Sequence, residues 1–224
     1  MDGLFFLIIL LLGGLMTVIG AIVNHLNDKK RREIMTTFAN EIGLDYRAGV
    51  DNSLLRRFSG FRIFATGRAK KVKNLIYGAS DEETMCIFDF QYSVGSGKNQ
   101  SVHRQTVISI ESEHFMVPAF VLKPGGFFSR SNSVPGMSTV EFDMYPDFAR
   151  RQILQTSDEE TIKRIFDDRM IRYFEENSFC IEATTGKMVC YIPKRSFRLE
   201  EMRLFMEKAF EIYRRLLERS LVPG

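Results

Sequence analysis

Residues 3–23 carry no charge, and this run constrains the chain more than any other feature of it. Sixteen of the 21 are apolar. At a rise of about 1.5 Å per residue, a helix of that length spans about 30 Å, the thickness of a bilayer's hydrocarbon core. A cleaved leader would have a basic start, a shorter apolar stretch and a small-residue cleavage site. Here Asp2 precedes the run and no Ala-x-Ala site follows. The run is read as the transmembrane part of an anchor comprising residues 1–28, with residues 29–224 as the folded remainder. Outside the run the apolar fraction is roughly 42%, ordinary for a globular domain. A polytopic transporter, a collagen-like or disordered chain and a disulfide-built mini-protein are excluded.

The flanks orient the anchor. Lys29, Lys30, Arg31 and Arg32 follow it, while the N-terminal side offers only the α-amino group and Asp2. Cations stay on the cytoplasmic side, so the N-terminus is expected outside and the large C-terminal part inside. Cys86, Cys180 and Cys190, an odd and widely spaced set, suit a reducing compartment. Within the run Gly13, Thr17 and Ala21 recur every fourth residue and share a helix face where two helices pack closely. They are either a homodimer seam or the ordinary small-residue content of a membrane helix.

Charge is distributed unevenly. Residues 24–80 hold 12 Lys+Arg against 5 Asp+Glu, whereas residues 81–224 hold 19 against 22. The basic part adjoins the anchor, and Lys29, Lys30, Arg31, Arg32, Lys70, Lys71 and Lys73 are candidates to face an anionic leaflet, at about 1 kcal/mol per charge near the surface. A nucleic-acid partner would need a basic patch with stacking aromatics and a larger excess than the net +3. No nucleic acid is expected.

Hydrophobic periodicity predicts an α+β fold: an N-terminal transmembrane helix, then an antiparallel β-meander packed with helices, with possible lobes at residues 29–125 and 138–220. A helix over residues 29–42 ends at Gly43. Strands follow at 71–79, 84–94 and 101–111. If the loop between the last two is symmetric, Tyr92 faces His103, Phe90 faces Gln105 and Asp89 faces Thr106. Cys86, Phe88 and Phe90 then share one sheet face, and Ile87, Asp89 and Ile108 the other. Residues 115–123, 139–143 and 148–155 read as extended, 129–138 as a Ser/Pro/Gly/Asn loop. Ser157 and Glu160 form a capping box. Residues 179–183 and 188–192 form a second hairpin, and an amphipathic helix over 199–219 closes the chain.

Signals for chemistry are sparse. The segment Gly95-Ser96-Gly97-Lys98-Asn99 lacks the first Gly and the Ser/Thr of a P-loop and joins strand to strand, which excludes a nucleotide loop. No metal-ligand spacing, nucleophile elbow or cofactor motif is present, so no metal and no cofactor are expected. Asp89, His103, Arg104 and Gln105 are the densest polar group on predicted strands, with Asp89 and Arg104 as diagonal neighbours. They are either a small-ligand pocket or a solvated strand end.

The hairpin FDFQYSVGSGKNQSVHRQTV and the segment FDMYPDFARRQILQTSDEETIKRIF, placed after an anchor and a basic juncture, resemble uncharacterised bacterial single-pass membrane proteins with a domain of unknown function. That resemblance implies a bacterial inner-membrane location and carries no catalytic residue. Three functions stay open: a membrane-anchored module binding a protein partner or anionic lipid headgroups, an enzyme with a pocket around Asp89, and a structural subunit of a membrane assembly.

Overall fold

The computed structural model describes residues 2–125 and 134–221, with side chains from residue 13 onward. Helix α1, Asp2–Ile42, is unbroken over 41 residues, so the apolar run and the charged segment after it form one rod. Gly43 ends it with a φ of +71°, the left-handed turn that glycine adopts without penalty. Leu44 N–H bonds back to the Ala39 carbonyl at 3.0 Å. The two halves of the rod have different surroundings. Residues 13–27 are all exposed, whereas Met35, Phe38 and Ala39 are fully buried. Among the described residues no helix is long and apolar enough to cross a membrane. Residues 3–12, about half of the expected span, lie outside the set whose side chains are described.

Strands β1 (Asp45–Val50), β2 (Arg68–Ala79), β3 (Glu83–Val94), β4 (Ser101–Ser112), β5 (Phe120–Pro124), β6 (Ser138–Thr139), β7 (Gln152–Thr156), β8 (Cys180–Thr184) and β9 (Lys187–Tyr191) form one antiparallel sheet. Its order is β1-β2-β3-β4-β9-β8-β5-β7-β6. Both sequence ranges considered as lobes contribute strands to it. On one face α2 (Ser53–Arg57) and α3 (Arg62–Ala65) bring Phe58, Phe61 and Phe64 onto Phe88 and Phe90. The opposite face packs Ile87, Ile108 and Leu122 under the buried half of α1 and under α4 (Pro146–Arg151), α5 (Glu159–Ile165), α6 (Asp168–Glu176) and α7 (Leu199–Ser220). Alternation along β3 sends each core the residues that period two assigns to it.

The β3–β4 register is the expected one, with Asp89 opposite Thr106, Phe90 opposite Gln105 and Tyr92 opposite His103. Cys180 pairs with Tyr191, which sets Cys180 and Cys190 on opposite faces as small buried fillers. Burial pushes their thiols up, and that of Cys86 to about 11.

Three expectations are corrected. Of residues 148–155, expected as extended, 148–151 belong to helix α4 and only 152–155 are strand, because Pro146 opens α4, Asp147 sits in its first turn and Arg150 and Arg151 in its last. Helix α5 is capped by Asp158, which accepts from Thr161 N–H at 3.0 Å, and not by Ser157. Pairing of β5 begins at Phe120, since Pro118 has no N–H for a ladder. The loop expected at 129–138 lies outside the described residues up to 133.

Candidate functional site

Helix α1 crosses the sheet along the β3–β4 hairpin, and its contacts show the direction. Phe38 and Met35 lie in the core with Ile87 and Ile108. Toward the N-terminus Arg31 meets Asp89, Asp28 meets Lys73 and Arg104, and Asn24 shares a notch with Val102 and His103. The rod thus leaves the domain at the hairpin-tip end of the sheet. The opposite end carries Asp81, Glu82 and Glu83 in the β2–β3 turn and Glu111 near the end of β4. That end also holds Arg57 and Lys187, both paired with Glu111, whereas Arg68, Lys70, Lys71 and Lys73 on β2 and Arg104 on β4 make the other end, toward the exposed residues 13–27 of α1, the more basic one.

The clamp between rod and sheet is a buried ion pair. Arg31 Nε and Nη2 donate to the two Asp89 carboxylate oxygens at 2.8 and 2.7 Å, a forked geometry that only arginine provides. Nη2 also donates to Thr106 Oγ1 at 2.9 Å, and Nη1 donates to the Phe197 carbonyl. Asn74 Nδ2 adds a bond to Asp89 Oδ2 at 2.9 Å, and Tyr46 donates to Asn74 Oδ1 at 3.1 Å. Asn74 reaches the carboxylate because β2 bulges between Lys73 and Ile76, with Asn74 at a φ of +54°. Asparagine tolerates that left-handed backbone better than other side chains with a Cβ. Asn74→Ala is therefore expected to cost about 2–3 kcal/mol, from left-handed strain and a lost bond to a charged acceptor. Asn74→Gly, free of the strain, should cost less. Denaturant unfolding of both measures the difference, and equal losses would exclude the strain.

The sequence-derived polar group does not converge. Asp89 lies on the α1 face and is taken by Arg31. Arg104 turns to Gln91, donating from Nε at 3.0 Å, and to Asp28 at 3.5 Å, so the expected Asp89–Arg104 bridge is replaced. His103 and Gln105 lie on the other face: His103 packs on Tyr92 at 5.4 Å, and Gln105 accepts from Lys194 N–H at 2.9 Å. Of the basic residues expected to face lipid, Lys29, Lys30, Arg32 and Lys71 are exposed. Arg31 turns inward, Lys73 pairs with Asp28 at 3.1 Å, and Lys70 donates to the Ala65 carbonyl at 3.1 Å. Gly13, Thr17 and Ala21 are exposed, and helical spacing sets them on the face that continues through Asn24, Asp28 and Arg31. A second helix on that seam would run beneath the basic end of the sheet.

A second buried polar group escaped sequence reading. Glu182, 2% exposed, sits on β8 beneath α3. Its carboxylate accepts from the N–H groups of Arg62 and Ile63, the latter at 3.0 Å, and from Tyr191 OH at 2.9 Å. Burial raises its pKa above the usual carboxylate range and pushes the Lys123 ammonium, on the same face, below its own. The cavity here is small, about 60 Å³, and these side chains line it. Its one sequence signal is an acid inside the apolar run FCIEA.

No family model matches the chain, and none of the curated proteins does. Among solved structures the chain is similar to the mycobacterial trehalose monomycolate transport factor A, TtfA. The TM-score is 0.59 at 15% identity, over 86% of this chain and 97% of that one. The similarity is one of fold.

Proposed function

We propose that the chain is a bacterial inner-membrane protein, anchored by the apolar half of α1 with its N-terminus outside. Its α+β domain is held at the cytoplasmic face as a binding module in lipid transport, not as a catalyst. The observation that carries this reading is the rod itself. The apolar run, exposed at every residue from 13 to 23, continues without a break into a half clamped to the sheet by Arg31 and Asp89. A surface of that kind is costly in water and suits a bilayer. The polarised sheet supports the orientation, since its basic end lies toward the anchor and an anionic leaflet attracts it. The similar fold of a trehalose monomycolate transport factor supports a transport-related role.

Deleting residues 1–23 is expected to move the chain from an alkali-resistant membrane pellet to the soluble fraction. A full-length chain that alkali extracts would overturn the anchor. A reporter fused to the C-terminus should be active inside the cell, and activity confined to the outside would overturn the orientation.

A further inference from the structure

Where α1 leaves the domain, Asn24, Gln91, His103, Arg104, Lys194 and Ser196 surround an open notch of about 560 Å³, with Val102 on its rim. We propose that this notch binds the phosphate of an anionic phospholipid headgroup; this rests on the anchoring reading.

Position is the first argument. Asn24 is the first residue after the uncharged run, so the notch lies at the depth where an inserted rod passes from hydrocarbon to headgroups. The hairpin tip, residues 95–100, lies beyond Val102 on the same side as the apolar half. The second argument is the donor set. Arg104 and Lys194 supply the cations and Asn24, Gln91 and Ser196 the neutral groups; His103 lines the notch with its ring turned to Tyr92, and the Asp28 carboxylate, 3.5 Å from Arg104 Nη1, is not among the lining residues. The Arg104 contacts engage only Nε and Nη1 of a group with five N–H donors. No ion pair holds the Lys194 ammonium among the described residues.

The third argument is preorganisation. Lys194 sits at a φ of +61° in a turn pinned to β4, its N–H donating to Gln105 at 2.9 Å and the Arg195 carbonyl accepting from Thr106 N–H at 2.9 Å. The cation is thus presented by a fixed turn and not by a loose chain. Below the notch the same face of α1 carries Gly20, Ala21 and Thr17, all exposed, and their small side chains leave room beside the rod for an acyl chain.

The test uses the full-length chain in detergent, with lipid retention followed by native mass spectrometry against added phosphatidylglycerol, phosphatidylcholine or inorganic phosphate. The wild type should retain phosphatidylglycerol over phosphatidylcholine. The pair Arg104→Gln and Lys194→Gln should weaken retention about thirtyfold, the loss of two direct hydrogen bonds to the phosphate at about 1 kcal/mol each. Ser196→Asp, an exposed change that brings a negative charge and leaves the core intact, should do the same. Lys29→Gln with Lys30→Gln, equal in charge but outside the notch, should change retention only a few fold. Undiminished retention in the notch variants, or equal loss in the Lys29/Lys30 pair, would overturn the site. Displacement of the lipid by equimolar inorganic phosphate would assign the notch to free anions and overturn the lipid. Alkali extraction is scored in parallel: a wild type that leaves the membrane defeats the anchor, whereas variants that stay in it and lose lipid test the notch alone.

Discussion

Arg31→Ala is expected to lower the domain's stability by about 3–5 kcal/mol, because it leaves the Asp89 carboxylate buried against the sheet without its counter-charge. For a domain of this size that is a fall in Tm of roughly 6–20 °C. The Arg31 and Asp89 side chains are only 16% and 11% exposed, so solvent does little to screen the loss. Asn74 and Thr106 still donate to the carboxylate, which sets the lower end of the range. Arg31→Lys should recover part of the loss, since a lysine restores the charge without the fork or the bond to the Phe197 carbonyl. Arg31→Met combined with Asp89→Asn should be less destabilised than the two single changes added together, because no orphaned charge remains. Thermal melts of the five variants decide it. Additive losses would mean that Arg31 contributes packing and not pairing.

The fold was legible in the sequence wherever one local pattern determined one outcome. The symmetric loop at residues 95–100 determined the β3–β4 register, and with it the face of every side chain on both strands. Gly43 marked the end of α1, and the stripe from Met202 to Leu216 marked the buried face of α7. Legibility failed where tertiary geometry chose the partner. Arg31 reads as one of four cations beside an anchor. Only the helix path, which carries position 31 over Asp89 58 residues away, turns it from a lipid-facing charge into a clamp. Asn74 gives no hint of a bulge, and Asp89 seemed destined for Arg104 because strand neighbours are all that a register predicts. The polar group at Asp89, His103, Arg104 and Gln105 dissolved for the same reason. Adjacent residues of one strand face opposite ways, and each face was completed by a segment remote in sequence, α1 on one side and the Pro193–Ser196 turn on the other.

Glu182→Ala is expected to cost roughly 3–5 kcal/mol, because two backbone N–H groups at the start of α3 and the Tyr191 hydroxyl lose their shared acceptor, at about 1–3 kcal/mol per unsatisfied buried group. The loss should fall on the α2–α3 face first, with faster amide exchange at Arg62 and Ile63 than at the α1 clamp. The pH dependence follows from the direction of the Glu182 shift. Its carboxyl titrates higher in the folded chain than in the unfolded one. Between those two values the folded chain binds more protons, so stability falls as pH rises. The stabilising contribution is complete below the ordinary carboxylate range and is lost as pH climbs through the folded value. Asp51, Asp158, Asp168 and Glu201 are shifted the other way and lose stability as pH falls, so the raw profile is a sum of opposed slopes. The difference between wild type and Glu182→Gln isolates the buried acid, because the amide keeps the shape and does not titrate. The advantage of the wild type should be greatest in acid and shrink as pH rises. A pH-independent difference would mean that Glu182 holds α3 with the same charge at every pH, and that its hydrogen bonds outweigh the cost of its burial.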